Sequence, residues 1–112
     1  MLEFRVKVQS MTLESGIDLP LERIADICRR YHVRELAVFG SAVRGELRAG
    51  SDIDLLVEFE PAAPVSYFDL FAMEGELGSL LGRKVEATTR RGLKPWIRPQ
   101  VEQDAQTIYH AA

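Results

Sequence analysis

The chain has 112 residues, 14 of them basic and 17 acidic, for a formal net charge of −3. That length fits one domain over residues 1–112 with a modest core, and the net acidic composition argues against a general nucleic-acid binder. Cys28 is the only cysteine, which excludes an internal disulfide or a cysteine-based zinc site; with no signal peptide legible, it fits a reducing cytoplasm, and no apolar stretch approaches the roughly 18–20 residues that span a bilayer.

Residues 2–8 alternate apolar and charged side chains, the period of a strand with one buried face. Met11 is a second candidate start, so residues 1–10 read either as an extra edge strand or as a flexible N-terminal extension. Asp18 and Pro20 mark the start of a helix expected over 19–31, with a stripe at Leu21, Ile24, Cys28 and Tyr31. Cys28 on that stripe reads as a small core residue, and His32 as a helix-end residue that suits the dipole.

A short apolar strand over 35–39 runs into Gly40-Ser41, followed by a helical turn from Ser41 to Gly45 and a polar loop over 46–51. A second strand covers 53–59, with Ile53, Leu55, Val57 and Phe59 on one face and Asp52, Asp54, Leu56 and Glu58 on the other. Pro61 and Pro64 break it. Ser66 and Asp69 form a cap for a helix expected over 66–81 that ends at Gly82, weakened by Gly75 and Gly78. A third strand covers 84–88. A final helix is expected over 95–110 from the spacing of Ile97, Val101, Ala105 and Ile108.

Charge is uneven: residues 1–82 hold 8 basic and 14 acidic side chains, whereas 83–112 hold 6 and 3. The basic cluster Arg83, Lys84, Arg90, Arg91, Lys94 and Arg98 reads as a solvated loop or as a contact surface for an acidic partner or nucleotide phosphates.

The chemistry concentrates at Gly40-Ser41 and Asp52-Ile53-Asp54. Two carboxylates two apart on a strand point to one face with Cα atoms about 6.6–6.8 Å apart. Their repulsion is relieved by solvation, by protonating one, or by a cation; oxygen-only ligands suit Mg²⁺, which completes its shell with water and phosphate. The spacing also suits a clamp of two metal ions. Gly40 permits close backbone approach to a ligand, the Ser41 hydroxyl adds a donor, and Arg44, one turn on, either reaches a phosphate or is solvated. Singly, these are an ordinary turn and an ordinary strand start. Their order, with ten residues (Ala42 to Ser51) between Gly-Ser and Asp-x-Asp, is far more specific.

In that order, and in the flanking Ala42-Val43-Arg44-Gly45 and Leu81-Gly82-Arg83-Lys84-Val85, the sequence resembles the minimal nucleotidyltransferases (MNT type) of the DNA polymerase β superfamily. The resemblance covers about residues 19–110. It implies an α/β nucleotidyltransferase fold: a mixed sheet of three core strands with helices packed on one face. It implies that Asp52 and Asp54 hold Mg²⁺ and that Gly40, Ser41 and Arg44 bind the phosphates of ATP. The third carboxylate, usually Asp, falls on Glu86, whose parity alternates with Val85 and Ala87; there it would complete the metal shell or take the acceptor's proton. The resemblance further implies an antitoxin whose partner is a HEPN-domain ribonuclease toxin, silenced by transfer of AMP to a tyrosine hydroxyl, with a hetero-oligomer as the working form. The rival is a non-enzymatic antitoxin that masks the toxin, using Arg83 to Arg98 with Trp96 as contact surface.

Overall fold

The computed structural model describes residues 10–13, 15–46 and 51–111. The strand expected over 2–8 therefore lies outside the described residues. Strands β1 (Ser10–Thr12) and β2 (Asp18–Pro20) form a separate antiparallel pair, Ser10 opposite Pro20. Asp18 joins this pair and accepts a hydrogen bond from the Thr12 hydroxyl at 2.5 Å rather than capping the helix. Helix α1 (Leu21–Arg30) then buries Ile24, Ile27 and Cys28.

The main sheet runs β5-β4-β3-β6. Its central strands β3 (Val33–Phe39) and β4 (Ile53–Phe59) are antiparallel. Strand β5 (Val85–Thr89) lies parallel to β4, with Asp54 in register with Glu86. Strand β6 (Gln106–His110) runs antiparallel to β3. The sheet is mixed, as expected, but it has four strands, and the helix expected over 95–110 is corrected. Helix α4 covers only Arg98–Asp104, and Ala105 leaves helical geometry at φ −59°, ψ 130°. Ile108 fits a helical stripe and a two-residue alternation equally well. Pairing wins because it satisfies the backbone along the outer side of β3, and because Thr107, Ile108 and Tyr109 suit a pleated surface.

Alternation divides the core. Leu36, Val38, Ile53, Leu55, Val57, Val85 and Ala87 pack with α1 and with α3 (Tyr67–Leu81) through Ile24, Cys28, Met73 and Leu77. Each such large side chain contributes roughly 1.5–3 kcal/mol on leaving water. On the opposite face Ala37 and Leu56 pack with Leu93 and with Val101 of α4. The two long helices thus share one face, and α4 lies across the other with the segment that carries Leu93.

Helix α3 begins with the expected box: the Ser66 amide donates to Asp69 Oδ2 at 2.9 Å and the Asp69 amide to Ser66 Oγ at 3.2 Å. Glu76 on α3 holds α1 through Arg30, at 2.6 and 3.2 Å, and through the Tyr31 hydroxyl. Glu74 Oε2 accepts from the Ala87 amide at 2.6 Å, occupying a backbone donor of edge strand β5. Among the described residues no helix is long and apolar enough to cross a membrane.

Candidate active site

Strand β3 delivers the chain to Gly40, whose φ of 79° and ψ of −150° belong to a region essentially reserved for glycine. Helix α2 (Ser41–Arg44) follows at once, its Val43 and Arg44 amides donating to the Gly40 carbonyl at 3.1 and 3.2 Å. Antiparallel register places Phe39 opposite Asp54, so the turn at Gly40 sits against that carboxylate.

The entry to β4 is fixed by its neighbour β5. The Ile53 amide donates to the Lys84 carbonyl at 2.9 Å, and Arg83 Nη1 donates to the Ser51 carbonyl at 3.2 Å. Asp52 and Asp54 therefore leave the strand start on one face, and Glu86 stands beside Asp54 on that same face. Asp54 is half-buried and Glu86 exposed. Burial, then the charges of Glu86 and Asp52, push the Asp54 carboxyl above the usual range, while Arg44 pulls the other way. Lys84 Nζ lies 3.9 Å from Asp52 Oδ2, a solvated contact of little strength.

No three acidic, histidine or cysteine side chains among the described residues stand close enough to hold a metal ion by themselves. Asp52, Asp54 and Glu86 are instead an open, charge-crowded row of oxygen donors. Such a row fits a hard cation that takes one or two carboxylates and fills its shell from water and a phosphate-bearing ligand.

Arg44 is exposed to solvent, yet its guanidinium is engaged with carboxylates. Its guanidinium pairs with Glu46, Nε to Oε1 at 3.1 Å, and with Asp104. Asp104 ends α4, and its carboxylate is only 11% exposed. Gln100 Nε2 holds the other oxygen at 3.1 Å. Sequence reading missed Asp104, because an uninterrupted helix over 95–110 gives no reason for α4 to stop where that carboxylate meets Arg44. Cys28 is buried in the core, its thiol pushed up to about 12 by burial, and takes no part in this chemistry.

Comparison with known proteins assigns the family. The sequence profile of the nucleotidyltransferase domain matches residues 21–108. The protein adenylyltransferase MntA of Thermococcus cleftensis is 36% identical over 91 residues, 81% of this chain and 90% of that protein. A solved candidate minimal nucleotidyltransferase matches with a TM-score of 0.66 at 38% identity, over 77% of this chain and 86% of its own. The complex of a tri-AMPylated Shewanella oneidensis HEPN toxin with its MNT antitoxin shares the fold, with a TM-score of 0.59 at 19% identity over 81% of this chain and 70% of that chain. A profile spanning most of the chain, and a relative aligned over nine-tenths of its own length, establish that the chain belongs to the nucleotidyltransferase domain family.

Proposed function

We propose that this protein transfers AMP from ATP to a tyrosine hydroxyl of a HEPN-type ribonuclease partner in the cytoplasm, and so serves as that toxin's antitoxin. The observation that carries the reading is Asp54, half-buried between the Gly40 turn on β3 and Glu86 on β5. The MntA relative is named a protein adenylyltransferase, and the fold neighbour is described as an antitoxin bound to an AMPylated toxin.

In this reading Gly40 and Ser41 cradle the β and γ phosphates, and Asp52 and Asp54 are the main ligands of magnesium, with Glu86 completing the donor row. Magnesium, when bound, neutralises triphosphate charge. Glu86, exposed and next to Asp54, accepts the proton of the tyrosine hydroxyl as its oxygen bonds to the α phosphorus and pyrophosphate leaves. Arg44 is held by Glu46 and Asp104, so it steadies the turn and reaches a phosphate only by exchanging a partner. Catalysis is mainly positioning and charge neutralisation.

The test is intact-mass analysis of the co-encoded partner with ATP and Mg²⁺. The wild type adds one or more AMP units; Asp52→Asn and Asp54→Asn add none while remaining folded. Equal labelling by both variants overturns the assignment.

A second reading, neutralisation by complex formation alone, draws on Tyr67, Phe68 and Phe71. These are exposed at the start of α3, with Phe68 at 84%, and form an apolar face suited to a stable partner. It requires tight binding and full toxin neutralisation without ATP.

A further inference from the structure

The segment joining β5 to α4 is pinned by Leu93, which turns inward against Ala37, Leu56 and Val101. Leu56 shares the β4 face of Asp54. The segment and α4 therefore lie over the same face of the sheet as the carboxylates, further along it. Around the Leu93 anchor the other large side chains point outward. Trp96 is 73% exposed and Ile97 40%. Lys94 Nζ stacks 5.5 Å from the centre of the Trp96 ring.

Within the basic cluster Arg90 pairs with Glu102 at 2.6 Å, and Lys84 stands only loosely beside Asp52. Arg91, Lys94 and Arg98 are exposed and, among the described residues, have no carboxylate partner. A chain of net charge −3 thus concentrates uncompensated positive charge around an outward-facing tryptophan. Nothing in the core requires that ring to stand in water, and Trp with Arg is the composition of interface anchors.

We infer that residues 91–98 dock an acidic, tyrosine-bearing segment of the protein substrate. The inference rests on the protein-adenylyltransferase reading above and adds to it the recognition of the acceptor. Reach supports it. Thr89, the last residue of β5, follows Glu86 by three residues, about 10 Å at roughly 3.3 Å per residue, and a 3-10 turn over Arg90–Gly92 follows at once. An extended segment held by its acidic residues on Arg91, Lys94 and Arg98 presents a tyrosine some four or five residues away to Glu86. A long nucleic-acid backbone fits less well, because the rest of this acidic chain repels it.

Trp96 is the only tryptophan, so its emission reads this surface alone. The full chain, without nucleotide, is titrated with a random glutamate–tyrosine copolymer. The expected result is a saturable shift of emission to shorter wavelength, with affinity falling at least tenfold from low salt to about 0.5 M. The triple variant Arg91→Glu, Lys94→Glu, Arg98→Glu binds at least tenfold more weakly. The milder Arg91→Gln, Lys94→Gln, Arg98→Gln falls between, and Arg29→Glu on α1 leaves binding unchanged. An absent shift, an unaltered affinity in both triple variants, or tighter binding of a single-stranded RNA oligomer than of the copolymer overturns the proposal. Added ATP and Mg²⁺ separate it from the catalytic reading. Docking predicts a raised KM for the copolymer with kcat kept in the Gln variant. Copolymer that binds as described but is never adenylylated removes the transferase assignment and leaves the docking surface standing.

Discussion

A Cβ on Gly40 would lie 2.8 Å from Asp54 Oδ2. The turn that ends β3 and the carboxylate on β4 are thus fitted to each other with no room for a methyl group. Gly40→Ala carries two costs: a backbone conformation that side chains avoid, worth about 1–3 kcal/mol, and a displaced Asp54. A stability loss of about 2 kcal/mol in urea denaturation is expected, together with a fall in AMP transfer of about 100-fold, the usual consequence of a misplacement near 1 Å.

Asp54→Asn separates stability from activity. The Asp54 carboxyl sits above its ordinary range, so it holds its proton more tightly in the folded chain than in the unfolded one. Its contribution favours folding below the unfolded value, about 4, and is lost as pH rises through the folded one. At pH 7 the ionised carboxylate therefore opposes folding. The asparagine variant is expected to be more stable than wild type at pH 7 by roughly 0.5–1 kcal/mol, the scale of relieving one strained active-site group. The gap closes as pH approaches 4, and transfer is lost. Denaturation followed by circular dichroism at both pH values checks the sign.

Glu86 gives a readout that does not depend on turnover. Its charge helps hold the Asp54 carboxyl up. Glu86→Gln therefore lowers the pKa of Asp54, which a carboxyl-carbon NMR titration measures. Because Glu86 is exposed, neither Glu86→Gln nor Glu86→Asp changes stability by more than about 0.5 kcal/mol. Transfer falls by 100-fold or more in Glu86→Gln, within the 10²–10⁴ range of general-base catalysis. Glu86→Asp, which keeps the carboxylate, retains transfer to within about tenfold.

The two glycines inside α3 respond in opposite directions to alanine. A Cβ at Gly75 meets nothing within 4 Å, so Gly75→Ala gains the helix propensity, roughly 0.5–1 kcal/mol. At Gly78 it would stand 3.0 Å from the Arg83 carbonyl oxygen, a backbone atom that cannot move aside cheaply. Gly78→Ala is expected to destabilise, loosening the approach of α3 to the start of β5. Thermal melting of the two variants distinguishes the effects.

The features legible in the sequence are those carried by neighbours along the chain. Strand β3 announces itself as an apolar run ending at Gly40-Ser41, β4 and β5 by alternation, and α3 by the Ser66–Asp69 box and Gly82. Gly40, Asp52 and Asp54 stand out because the spacing of a Gly-Ser turn and a carboxylate pair is local. What escaped notice depends on contacts distant in sequence. Strand β6 exists because β3 offers it a partner some seventy residues upstream, Leu36 opposite Tyr109. Asp104 matters because Arg44, sixty residues earlier, comes to meet it. Ile108 is compatible with two periods, and only the finished sheet decides between them.

Cys28 sits on the inner face of α1 with 0% exposure and a thiol pushed up to about 12. An alkylating reagent reaches it only when that helix lifts from the sheet. Because it is the chain's single sulfhydryl, the rate of its modification times the breathing of one layer of the molecule, with no tag introduced and no group of the reaction centre touched.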